Sequence, residues 1–284
     1  MTPMLTLLAP AKINLFLRVL NRRSDGYHNL ASLIQTINLH DTLHFALGSQ
    51  DVLMCEHPSL SKDSSNLITA ATHLFRKKTG LNFGLKVVLE KNIPMQSGLG
   101  GGSSNAATTL WALNQLHGFP VPLEQLIEWS SEIGSDVPFF LSQGTAYCTG
   151  RGEVVRCLDP LPIQRLWIAK PYEGLSTPLV FKQLDLTKIS SYDPEVALQS
   201  FFSNQPFYFN DLEEPAFELK PYLKTVKEEL LRSGYETVSM TGSGTAFYCL
   251  GRVAPPIIPQ VTFYPATFIN RPAERWYPFD SARD

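Results

Sequence analysis

The sequence has 284 residues, of which 44% are hydrophobic and 18% charged, with a formal net charge of −2. That length and apolar content allow one or two domains with a sizeable core and exclude an intrinsically disordered chain. The near-neutral balance argues against a broad footprint on a nucleic-acid backbone. No run reaches the roughly 18 apolar residues of a membrane-spanning helix.

The apolar N-terminus is interrupted by Lys12, Asn14 and Arg18 and has no basic segment before it, so it reads as buried strand, not as a signal peptide. Cys55, Cys148, Cys157 and Cys249 form no CxxC pair. Free thiols in a reducing, cytoplasmic compartment are therefore expected.

Residues 11 to 19 alternate, which predicts a strand with Ile13, Leu15, Leu17 and Val19 on one side and Lys12, Asn14, Phe16 and Arg18 on the other. Arg22 to Gly26 reads as a turn. Extended runs follow at Leu30–Leu39 and Thr42–Leu47. A helix is predicted over Asn66–Lys78, with Ser64, Ser65 and Asn66 as possible caps and Gly80 as its stop. Leu85–Leu89 reads as a strand, followed by a glycine-rich loop and a helix that starts near Ser103 and ends at Gly118.

Pro122–Ile133 reads as a further helix, closed by Gly134. In the second half, Arg165–Ala169 suggests a strand, Thr177–Leu184 and Lys220–Arg232 suggest helices, and Val238–Cys249 suggests strand, tight turn, strand. A soft domain boundary falls near residue 155. The tail Pro272–Asp280 suggests no role.

The sharpest local signal is Pro94-Met95-Gln96-Ser97-Gly98-Leu99-Gly100-Gly101-Gly102-Ser103-Ser104 between that strand and helix. Glycines let backbone amides approach a ligand, and a helix start adds free N–H groups and a positive dipole end. A phosphate cradle and a glycine-rich hinge both fit the pattern. It is not a GxxxxGK[ST] loop, because no lysine follows where one is required.

Lys12 stands in an apolar strand and needs an anionic partner. Asp136 lies at the edge of apolar sequence after Gly134-Ser135. Together they could serve a hydroxyl acceptor as paired cation and general base. Separately they could be a snorkelling lysine and a helix-capping aspartate. His40 and His44, four apart in extended sequence, do not make a helical metal pair.

Four segments together resemble the GHMP kinase superfamily. They are Pro10-Ala11-Lys12-Ile13-Asn14 with Asp25-Gly26-Tyr27-His28, the 94–104 loop with Asn105-Ala106-Ala107, Gly134-Ser135-Asp136-Val137-Pro138, and Thr241-Gly242-Ser243-Gly244. The first pair of motifs is similar to the branch of that family whose acceptor is 4-diphosphocytidyl-2-C-methyl-D-erythritol.

The resemblance implies an α+β, two-domain fold. An N-terminal α/β nucleotide-binding domain (ribosomal protein S5 domain 2-like) would span residues 1–155, and a C-terminal α+β domain residues 156–284. It implies Lys12 and Asp136 as the catalytic pair, residues 94–104 as the ATP loop, and Asn14 at the acceptor end. Tyr27, His28 and Phe181 would hold the cytosine, and Gly242, Ser243 and Gly244 would form a third motif beside the phosphate loop.

The implied reaction moves the γ-phosphoryl of ATP to the acceptor's 2-hydroxyl, with Mg²⁺, in non-mevalonate isoprenoid synthesis. The implied partner is that small molecule, for a cytoplasmic monomer or weak homodimer that takes neither nucleic acid nor membrane. No residue is singled out as a metal ligand. Met95-Gln96-Ser97 departs from the family's usual glycines before the Gly-Leu-Gly core. A kinase for a mevalonate-like, homoserine or sugar acceptor is the nearest alternative. A non-catalytic nucleotide-binding or nucleic-acid-binding protein on the same fold is the next.

Overall fold

A computed structural model describes residues 4–58, 60, 61, 63 and 65–277. The expectations for Ser64 and for tail positions 278–280 lie outside the described residues.

Two long strands organise the N-terminal half. Strand β1 (Leu5–Arg22) pairs antiparallel along its length with β2 (His28–Gly48). Strand β2 then diverges: its first part pairs β5 (Thr145–Gly150), and its last part pairs β4 (Gly84–Glu90). Short strands β3 (Val52–Cys55) and β6 (Val154–Cys157) add at β4 and β5. The runs read separately as 30–39 and 42–47 are therefore one strand. Between the two runs lies a register shift, where Pro10 faces His40 and Ala11 faces Ile37.

The alternation expected for residues 11 to 19 holds only as far as Asn14. Asn14 faces Ile34 and Phe16 faces Leu33, so Leu15 is an extra residue. One extra residue reverses which side chains share a face. Ile13, Leu15 and Phe16 accordingly lie in one apolar cluster, and Leu17 and Val19 in another. The carbonyl of the extra Leu15 accepts from Tyr248 Oη at 2.9 Å.

Helix α1 (Leu67–Thr79) is capped by Asn66, whose side chain accepts from the Ile68 amide. It stops at Gly80, which has a φ of 73°. Helix α2 (Gly101–Leu116) begins two residues before the expected Ser103 and packs against α1 and β1. Every residue of α2 from Ser104 to Asn114 is buried. Small side chains permit that enclosure: the Thr108 and Thr109 hydroxyls return to the Ser104 and Asn105 carbonyls at 2.8 and 2.7 Å. Helix α3 (Leu123–Ser130) ends three residues short of Ile133, and α4 (Val137–Phe140) follows directly after Asp136.

The C-terminal half builds a four-stranded antiparallel sheet. Its order is β11 (Val261–Thr267), β7 (Arg165–Pro171), β10 (Phe247–Leu250) and β9 (Thr237–Met240). Helices α5 (Thr177–Gln183), α6 (Pro194–Phe202), α7 (Glu213–Leu219) and α8 (Pro221–Arg232) complete it. Strand β8 (Phe209–Asn210) crosses back to pair with β1. Residue 155 lies inside β6. The architecture is a two-part α+β fold with a mixed α/β N-terminal half.

The tail, to which the sequence assigned nothing, returns to the N-terminal half. The Arg271 guanidinium lies 4.9 and 4.8 Å from the Trp111 and Trp276 ring centroids and donates to the Leu141 carbonyl. Trp276 Nε1 donates to the Leu8 carbonyl at 2.7 Å. Trp276 and Tyr277 are buried in the core formed by α2 and α4.

Candidate active site

A cleft of about 1170 Å³ gathers residues from both halves. Its back wall is β1. Lys12 faces Thr36 in the β1–β2 pairing, and its amide donates to the Leu99 carbonyl at 2.9 Å. The glycine loop is thereby fixed to the strand that carries Lys12.

Lys12 Nζ donates to Asn14 Oδ1 at 2.7 Å and lies 3.6 Å from Asp136 Oδ2. Asn14 in turn donates from Nδ2 to Ser32 Oγ at 2.8 Å, and its amide donates to Thr241 Oγ1 at 3.1 Å. The lysine side chain is 4% exposed and the aspartate 41%. Asp136 has an αR backbone and makes no capping hydrogen bond to α4. The helix-cap alternative is thus not realised, and the carboxylate faces the cleft.

The glycine loop needs its glycines for close approach. At Gly98 (φ 79°) a Cβ would lie 2.0 Å from the Thr241 carbonyl oxygen, and at Gly100 (φ 73°) it would lie 2.8 Å from Phe140. Helix α2 starts from Gly100 without a side-chain cap. Its first amides and positive dipole end therefore open towards the cleft, where an anion is favoured. The Thr241–Gly244 turn packs on this loop, and Gly242 sits where a Cβ would come within 3.2 Å of Lys12 Nζ. Asn210 Nδ2 holds the turn by donating to the Met240 and Gly242 carbonyls at 2.7 and 2.8 Å.

At the other end of the cleft, Arg23 and Tyr27 close a turn through Arg23 N donating to the Tyr27 carbonyl at 2.8 Å. Asp25 accepts from the Tyr27 amide at 3.1 Å, and its carboxyl pKa is lowered by its hydrogen bond from Arg23. Gly26 takes a φ of 88° there. The turn presents Tyr27 outward at 56% exposure, with the Arg151 guanidinium 5.2 Å from its ring centroid. His28 stacks on Phe181 at 5.2 Å and 22°. Burial, and secondarily Arg22, lowers the His28 pKa, so its ring is neutral at pH 7.

The expected catalytic, nucleotide, substrate and third-motif residues line this cleft, except Leu99, Ser104 and Gly244. The structure adds several that sequence reasoning missed. Ser32 was legible only as a hydroxyl in an otherwise apolar strand. Thr177, whose hydroxyl meets Ser243 Oγ at 2.7 Å, had no signal beyond its helix start. Arg151, Lys91 and the buried Cys148 also line the cleft. Burial, then the charge of Asp136, raises the Cys148 thiol pKa, so it stays protonated.

The sequence and the fold have known counterparts. The GHMP kinases N terminal domain model matches residues 66–144, and the GHMP kinases C terminal model matches residues 196–256. The chain is 52% identical over 271 residues to the 4-diphosphocytidyl-2-C-methyl-D-erythritol kinase of Protochlamydia amoebophila, covering 95% of this chain and 92% of that one. The chloroplastic enzyme of the same description from Arabidopsis thaliana is 44% identical, with 96% and 76% covered.

A crystal structure of 4-(cytidine 5'-diphospho)-2C-methyl-D-erythritol kinase superposes with a TM-score of 0.78 at 34% identity, covering 93% of this chain and 99% of that one. A homoserine kinase from Cytophaga hutchinsonii shares the fold at a TM-score of 0.69 and 17% identity, covering 96% and 97%. The chain belongs to the GHMP kinases and, within them, to the 4-diphosphocytidyl-2-C-methyl-D-erythritol kinase family.

Proposed function

We propose that Lys12, Asp136 and the 94–104 loop together phosphorylate 4-diphosphocytidyl-2-C-methyl-D-erythritol at its 2-hydroxyl, with ATP as donor. The chain is a kinase for that alcohol, and its residues divide the work by position. The uncapped start of α2 and the glycine loop receive the ATP phosphates. Asp136, the open carboxylate beside Lys12, accepts the proton of the acceptor hydroxyl. Lys12 stands beside it and offsets the negative charge that develops on the attacking oxygen and the transferring group. Asn14 holds Lys12 and faces the acceptor end. Tyr27, His28 and Phe181 receive the cytosine, for which their rings offer stacking surfaces. Transfer is direct and in line, since no nucleophilic side chain is needed as a carrier.

The residues present also fit Mg²⁺. Among the described residues, no group of three or more His, Cys, Asp or Glu forms a protein-only cage. Asn105 Oδ1, however, is a buried oxygen without a hydrogen-bond partner in the first turns of α2, and Asn105 lines the cleft. Such an oxygen suits a hard cation that takes few protein ligands beside nucleotide phosphates. Bound there, Mg²⁺ would neutralise phosphate charge.

The observation that carries this reading is the 3.6 Å approach of a buried ammonium to an open carboxylate on the same wall as the glycine loop. The test is a coupled ADP-release assay with the cytidylyl alcohol, with the product identified by phosphorus NMR. Equal amounts of ADP and 2-phosphate are expected. ADP release without a phosphorylated acceptor would overturn it.

A further inference from the structure

The connector between β7 and α5 carries none of the roles assigned above, yet it is tied down by an unusual anchor. Lys170, near the end of β7, is 7% exposed and has no ion-pair partner among the described residues. Its ammonium donates to the Pro171 carbonyl, to the Glu173 carbonyl at 2.9 Å and to Thr245 Oγ1 at 2.9 Å. Thr245 Oγ1 itself donates to the Glu173 carbonyl at 2.7 Å. A buried ammonium among neutral oxygens is costly to keep. Burial lowers its pKa to about 8.

What this anchor joins is specific. Thr245 directly follows the Gly242–Gly244 turn, and Glu173 directly precedes Gly174. A Cβ at Gly174 would lie 2.3 Å from Gln96 Oε1 and 2.8 Å from Gln96 Cβ. Gln96 is in the phosphate loop, with a left-handed φ of 50° that a non-glycine residue adopts only when its surroundings hold it. From the other side, the Ala246 amide donates to the Ser97 carbonyl at 3.0 Å, and the Thr241 carbonyl closes on Gly98. Residues 96–98 are therefore wedged between the connector and the 241–246 turn, and Lys170 bonds to both.

We infer that Lys170 and the Glu173–Gly174 connector brace the phosphate loop through Gln96, making Lys170, Gly174 and Gln96 positioning residues for ATP. The inference rests on residues 94–104 being the nucleotide loop. It also accounts for Gln96 where the family pattern favours glycine: the side chain fills the space that Gly174 leaves.

The test compares Gly174→Ala, Lys170→Met and the double variant Gly174→Ala/Gln96→Gly in steady-state kinetics. Gly174→Ala should raise KM for ATP about tenfold, with KM for the cytidylyl alcohol within about twofold of the parent. Adding Gln96→Gly should restore most of the loss, a rescue that general destabilisation does not produce. Lys170→Met should show the same one-sided change. If Lys170→Met does not fold, the Gly174 and Gln96 pair decides alone. Equal shifts in both KM values, or no rescue by Gln96→Gly, would overturn the brace while leaving an active parent enzyme. A parent that neither binds ATP in calorimetry nor releases ADP would overturn the nucleotide reading and the brace with it.

Discussion

Lys12 and Lys91 are both buried lysines on the wall of one cleft, and their anions differ. Asp41, the partner of Lys91 at 2.9 Å, is 0% exposed and also accepts from the Asn92 and Ile93 amides at 2.8 Å each. Lys91 gives a further bond to the Ile93 carbonyl. That pair is shut away from water, although burial outweighs Asp41 and lowers the lysine's pKa. Asp136 is open, stands farther from its cation and makes no capping bond. Burial of the cation therefore does not separate a structural pair from a working one. The exposure of the carboxylate does.

The contrast can be broken by experiment. Asp136→Asn should lower kcat about 10²–10⁴-fold while ATP binding by calorimetry and the urea midpoint stay near the parent's. Near-parental turnover in a folded variant would remove Asp136 from the chemistry. Lys91→Met should act the opposite way, costing about 3–5 kcal/mol in urea unfolding because Asp41 is left buried and unpaired. A parental unfolding midpoint would mean that the closed pair is not holding the fold.

Two further variants sharpen the contrast. Lys12→Met should reduce kcat about 10²–10³-fold with a smaller stability loss than Lys91→Met, since Asp136 can still reach water. If its unfolding free energy falls as far as that of Lys91→Met, the open and closed pairs are not different in kind. Tyr27→Ala should have the smallest effect, about 1–3 kcal/mol in affinity for the cytidylyl alcohol, read as KM or by titration, with kcat little changed. Unaltered affinity would take the ring out of base recognition.

Much of this was legible in the sequence because it is local. The strand–glycine loop–helix order is set by adjacent residues, and so are the Asn66 cap and the Gly80 stop. Lys12 was conspicuous because it interrupts apolar residues. What stayed hidden depends on distant partners or on compensation. The extra residue at Leu15 left no trace, because Leu15 and Phe16 are both apolar and the alternation could be continued through them.

The pairing of Lys12 with Asp136 spans the sheet and the α4 turn, so spacing alone left each with a bland alternative. Gln96 looked like a deviation until Gly174 was seen against it. The tail looked featureless because its aromatic residues and Arg271 acquire meaning only against Trp111 and the Leu8 carbonyl.

That last contact governs when the protein can finish folding during synthesis. The Leu8 carbonyl waits for an indole 268 positions later in the chain. Domains emerging from a ribosome commonly settle in order, first part first. Here a strand of the N-terminal sheet is sealed by a residue made 268 positions later, so its core stays short of two aromatic residues and a caged guanidinium until residue 277 has been made. A nascent chain arrested before residue 271 should expose the flank of α2 to chaperones, even with every strand of the first sheet already made.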